Sequence, residues 1–154
     1  MFERESVCIN RVLGENVVAI HHIGSTAIPS IYAKPVIDIL VEVKKIDSLD
    51  DPAPMVSLGY EAMGEFGIVG RRYFRKENAY QRTHHVHIFE AGSAQVTRHL
   101  AFRDYMLAHP EDAQKYSELK RRLAKEHSTD IEKYMDGKDE FIQAIDKKAE
   151  QLSR

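Results

Sequence analysis

The chain has 154 residues, enough for one domain of ordinary size that buries roughly two-thirds of its unfolded surface. A hydrophobic fraction of 43%, a charged fraction of 30% and a formal net charge of −2 fit a soluble globular protein. They give no global basic signal for nucleic acid and leave only a local patch open. The one cysteine, Cys8, excludes an internal disulfide, and no apolar run is long enough to span a bilayer. The opening MFERESVCIN carries mixed charge without an apolar core, so it is not read as a signal peptide, and a cytoplasmic location is expected by elimination.

Residues 2–13 read as a helix, with Phe2, Ser6, Ile9 and Leu13 near one face and Gly14 as a stop. Cys8 reads as a small core residue of that helix. VVAIHHI, from Val17 to Ile23, is a β-rich run, and GSTAIPSIYAKP after it is a loop or short helical turn. VIDILVEV, residues 36–43, is nearly continuous in apolar character and predicts a strand buried on both faces. A loop around Pro52 and Pro54 continues into a helix ending at Gly59. Residues 60–66 and 71–76 read as short strands around a glycine-rich turn, and THHVHIFE, residues 83–90, as another strand. From Ser93 the pattern is helical: a first helix broken at His109-Pro110, a second from Glu111 to about Lys125, and a third from about Ile131 with a break expected at Gly137. The expectation is one α/β (α+β) domain over 1–154, with a mixed sheet in about 1–92 and a helical part in about 93–154.

The stretch from His21 to Val43 carries the most chemistry. Gly24 lets the backbone approach a ligand with no Cβ in the way. Free N–H groups and the hydroxyls of Ser25 and Thr26 suit a phosphate, and Lys34 adds positive charge. Asp38 is a hard oxygen donor of the kind that binds Mg²⁺ together with substrate phosphates. In THHVHIFE, His85 and His87 share one face and His84 the other. If that strand lies beside Asp38, its imidazoles join the carboxylate around one metal or serve as acid and base, with Asp38 and His87 as the catalytic candidates. Coordination by Asp38, His85 and His87 would favour Zn²⁺, Mn²⁺, Fe²⁺ or Ni²⁺ over Mg²⁺. The alternative is hydrogen-bonded histidines of the core and its rim. In RRYFRK, Arg71, Tyr73 and Arg75 share one strand face and Arg72, Phe74 and Lys76 the other. Arg72, Arg75 and Lys76 are candidate phosphate binders, and a charged edge strand is the other reading. Arg103 reads as a surface charge or a pocket residue, and Lys120, Arg121, Arg122 and Lys125 as a solvated face.

The order IGSTAIPSIYAKPVIDILVEV, GRRYFRK, THHVHIFE and LAFRDYMLAHPEDAQKYSELKRRLA resembles the GrpB family, over about Leu13 to Phe141. Members often carry a tryptophan-containing segment before the first helix; this chain has no tryptophan and is expected to start after it. Some relatives are fused to dephospho-CoA kinase, but no GxxxxGK[ST] phosphate loop stands here. The resemblance implies a nucleotidyltransferase-like fold, in which Gly24 and Ser25 match the phosphate loop and Asp38 the first metal carboxylate. It implies a nucleotide or phosphorylated small molecule as partner and Mg²⁺ or Mn²⁺ as cofactor, with Zn²⁺ if the histidines coordinate. The second carboxylate of such sites would stand at position 40, which is Leu40. Glu42 lies roughly 13 Å along the strand from Asp38, too far to replace it. A nucleotidyl transferase, a non-catalytic nucleotide or phosphate binder, and a His/Asp metal-dependent hydrolase all remain open at this point.

Overall fold

The computed structural model describes residues 2–24, 27, 36–126 and 131–152, with side chains described outside 131–137 and 150–152. The chain forms two compact units, one of Met1–Gly24 with Pro35–Thr97 and one that includes Arg98–Arg154. Among the described residues of the first unit are a helix α1 (Phe2–Leu13), a one-turn helix α2 (Ala53–Val56) and five strands. The strands are β1 (Val17–Ile23), β2 (Ile37–Val43), β3 (Glu61–Ala62), β4 (Arg72–Glu77) and β5 (Arg82–Glu90). They form one sheet in the order β1-β2-β5-β4-β3. β2 and β5 pair parallel and the other neighbours pair antiparallel, which makes the sheet mixed.

The sequence explains the layering. Ile37, Ile39, Val41 and Val43 alternate along β2 and point to one face. Val86 and Ile88 of β5 and Phe74 of β4 join them, and Ile9 of α1, Met55 of α2, Leu49 and Tyr60 cover them. Each fully buried side chain of this size contributes about 1.5–3 kcal/mol. The opposite face of β2 carries Asp38, Leu40 and Glu42. That face is where the polar residues of the sheet gather.

The second unit is helical, with α4 (Pro110–Glu126) and α5 (Ile131–Leu152) and the greater part of α3 (Ala94–Ala108). Pro110 opens α4, where its missing N–H costs nothing, and Glu111 and Asp112 in the first turn complement the helix dipole. Tyr105, Met106, Ala113, Tyr116 and Ile145 form its core, with Phe141 stacked on Tyr116 at 5.5 Å.

The α+β class, with a mixed sheet and a helical C-terminal part, is as expected. Several details differ. The strand expected over 60–66 is only Glu61–Ala62, because Gly64, Phe66 and Gly67 adopt positive φ and turn the chain. α5 runs through Gly137 without a break, since one glycine costs a helix only about 1 kcal/mol. Lys120 is buried rather than solvated and holds its ammonium 5.2 Å from the Tyr116 ring centre. Cys8 is partly exposed rather than sealed in the core. Among the described residues, no helix is long and apolar enough to cross a membrane.

Candidate functional site

Strand register builds the site. Directly paired residues share a sheet face, so the pairings define rows across it. Ile23 of β1, Asp38 of β2, His85 of β5 and Arg75 of β4 form one row. His21, Leu40, His87 and Tyr73 form the next. The parallel pairing of β2 with β5 sets both histidines of the HVH segment beside one carboxylate.

Asp38 Oδ1 lies 3.4 Å from His85 Nδ1 and 3.3 Å from His87 Nε2. The other ring nitrogen of His87, Nδ1, lies 3.2 Å from Arg71 Nη1. A guanidinium only donates, so Nδ1 must accept and Nε2 must carry the proton. His87 therefore donates to Asp38. His85 makes the same kind of contact through Nδ1, and its Nε2 is buried without a hydrogen-bond partner. With Nδ1–H directed at the carboxylate, Nε2 presents a lone pair. Burial pushes the Asp38 pKa up, but the hydrogen bonds from His85 and then His87 outweigh it and hold the carboxyl well below its usual range.

Gly24 closes the other side of Asp38. It follows Ile23, the partner of Asp38 in the β1–β2 ladder, and has φ +74. A Cβ there would stand 2.6 Å from Asp38 Oδ2 and 2.9 Å from Asp38 Cβ. Only glycine fits both the backbone and the space. Ser25, Thr26 and Lys34 lie outside the described residues.

Of the basic cluster, Arg75 shares the face of Asp38 and lies with its Nε 3.3 Å from Glu61. Arg72 and Lys76 are on the opposite face. Arg72 donates to Asp50 at 2.8 Å, and Lys76 donates to Glu5 at 2.5 Å beneath the Tyr60 ring. The structure does not bring these two to Asp38. It brings Arg71 instead, which sequence reading left outside the phosphate set. Arg71 is 7% exposed, donates to the carbonyls of Glu65 and Phe66, and lies over the Tyr73 ring. Its parity with Tyr73 and Arg75 was the signal that could have found it. His21 is paired with Glu42 at 2.6 Å, while His22 stacks on Phe2 across the sheet. In the helical unit Arg103 pairs with its neighbour Asp104.

The donor set decides which metal suits these residues. Among the described residues, no three His, Cys, Asp or Glu side chains are grouped to hold an ion. Arg71 explains why His87 does not serve: the nitrogen nearest Asp38 carries a proton, and its lone pair is not available. A Zn²⁺ centre of Asp38, His85 and His87 does not fit. Mg²⁺ and Mn²⁺ take one or two carboxylates and complete their shell with other oxygens, so Asp38 is the residue that would hold such an ion.

The profile of the family described as GrpB protein matches residues 1–148. The UPF0157 protein YqkA of Bacillus subtilis is 46% identical over 99% of this chain and 45% of its own length. The UPF0157 protein PA4798 of Pseudomonas aeruginosa is 40% identical over 94% of this chain and 60% of its own. The chain thus spans about half the length of these curated relatives. The crystal structure of the conserved protein GrpB from Enterococcus faecalis superposes with a TM-score of 0.92 at 45% identity, covering 99% of this chain and 92% of that one.

Proposed function

Because this chain belongs to the GrpB family, we propose that its Asp38 face binds a nucleotide or another phosphorylated small molecule with Mg²⁺ or Mn²⁺ and transfers a nucleotidyl group. The observation that carries this reading is the seat of Gly24, which precedes Ser25 and Thr26 in the sequence, against a carboxylate kept ionised by two imidazoles. Asp38 and the ligand's phosphates would hold the cation, which supplies charge neutralisation and polarises an attacking hydroxyl. The chain's own residues do the rest. Gly24 gives phosphate oxygens access to the backbone, and Arg71 and Arg75 supply positive charge on the same face. The proton of the acceptor hydroxyl passes to solvent, since the lone pair of His85 Nε2 is buried. The acceptor oxygen bonds to the α-phosphorus as the bond to pyrophosphate breaks. His87, fixed by Arg71, keeps Asp38 ionised and aligned.

The fully buried Leu40, where the family resemblance implies a second carboxylate, favours a second reading: binding without turnover. Titration of nucleoside triphosphates with Mg²⁺ or Mn²⁺, followed by thermal unfolding, tests the shared part. A ligand at about 100 times its dissociation constant adds about 2.7 kcal/mol of stability. No shift with any of them would overturn both readings. Release of pyrophosphate that Asp38→Asn abolishes would support transfer. Binding with no release would leave the non-catalytic reading.

A further inference from the structure

Phe66 belongs to the turn between β3 and β4, and two of its features have no use in packing the core. It is 55% exposed. It has φ +48, and it is the one non-glycine residue at positive φ among those described. A side chain in that region costs free energy and persists only where its surroundings hold it. They do hold it. Arg71 donates to the carbonyls of Glu65 and Phe66, Gly70 N–H donates to the Glu65 carboxylate at 2.6 Å, and Tyr73 N–H donates to Gly64 O at 2.8 Å. The backbone is fixed so that an aromatic ring stands at the surface.

That ring continues a row. Phe66 stacks on Tyr73 at 5.3 Å, and Tyr73 stacks on His87 at 5.2 Å. His87 meets Asp38. The row runs from the carboxylate across the polar sheet face to an exposed phenyl, two ring contacts away. Arg71, buried with its guanidinium over the Tyr73 ring, keeps positive charge along it. We propose that Phe66 is the stacking surface for the base of a nucleotide whose phosphates lie toward Asp38 and Gly24. This rests on the phosphate-site reading above and narrows it: the ligand is a nucleotide, not a non-aromatic phosphate ester. Stacking on a phenyl ring is tolerant of base identity because every base has a π-face.

Calorimetric titration of the 154-residue chain with ATP, CTP and inorganic tripolyphosphate, each with Mg²⁺, tests the proposal. Wild type should bind both nucleotides about tenfold or more tighter than tripolyphosphate. Phe66→Ala, which keeps the Cβ and so the same backbone cost, should lose about tenfold for the nucleotides and leave tripolyphosphate unchanged, and Phe66→Trp should restore the difference. Equal binding of ATP and tripolyphosphate by wild type, or nucleotide affinity untouched by Phe66→Ala, overturns the stacking role while leaving the phosphate site standing. Failure of tripolyphosphate and nucleotides alike overturns the site and the stacking role together.

Discussion

Replacing Gly24 by alanine tests the contact on which the site is built. The new methyl carbon would stand 2.6 Å from Asp38 Oδ2 and 2.9 Å from Asp38 Cβ, both inside any real carbon contact. The second of these atoms cannot rotate away, because it is attached to the backbone of β2, an interior strand. The left-handed backbone adds about 1–2 kcal/mol for any residue with a Cβ. Forcing β1 and β2 apart, or turning Asp38 off its histidines, adds about 1–3 kcal/mol of overpacking. Gly24→Ala should therefore lose about 2–5 kcal/mol in urea denaturation. The two parts separate in a double-mutant cycle. Asp38→Gly removes both clashing atoms, so Gly24→Ala in that background should cost only the backbone part, about 1–2 kcal/mol. A Gly24→Ala protein within about 0.5 kcal/mol of wild type would refute the close packing of Gly24 on Asp38. Equal costs in the two backgrounds would refute the assignment of the clash to Asp38.

Three other outcomes follow from the same geometry. Nitrogen-detected NMR should find His87 protonated at Nε2 and bare at Nδ1, and Arg71→Met should release that preference; a proton on Nδ1 in wild type would contradict the hydrogen bond from Arg71. Asp38 has its pKa lowered below the ordinary 3.8, so the unfolded chain binds more protons and stability falls as pH drops through that value. Asp38→Asn should accordingly lose less stability than wild type between about pH 5 and about pH 2.5 in denaturant titrations, and an equal loss in the two would count against an ionised, hydrogen-bonded Asp38. Lys76→Met leaves Glu5 with Tyr60 as its described partner and should cost about 1–3 kcal/mol, below the cost of a fully buried pair because Lys76 keeps 24% exposure. The same variant should leave nucleotide affinity unchanged, and a drop in affinity would return Lys76 to the phosphate site.

Much of the fold could be read along the chain. The alternation in VIDILVEV and THHVHIFE, the 3.6-residue spacing of the first helix and the His109-Pro110 stop are local signals, and each element stands where its signal lies. Parity also sorted Arg71, Tyr73 and Arg75 from Arg72, Phe74 and Lys76, although charge alone then made Arg72 and Lys76 look suited to phosphate. Their ion partners, Asp50 and Glu5, sit on distant segments, which no local pattern reveals. Periodicity states which residues share a face but not which strands are neighbours. The convergence of Asp38 with His85 and His87 depends on β5 lying parallel to β2, a pairing decided by the whole sheet. Phe66 escaped notice because its turn looked like the end of a strand, and the positive φ that exposes it is a property of the closed loop.

The parallel pairing of β2 and β5 has a consequence for folding. Asp38 and His87 are 49 positions apart, and the pairing of β2 with β5 is what brings them together. Closing so long a loop costs entropy before any contact repays it. The carboxylate–imidazole cluster therefore exists only while β2 and β5 are paired. Partly unfolded forms of this unit lack the cluster, and any substitution that loosens the sheet, however remote, will lower the fraction of molecules that carry it.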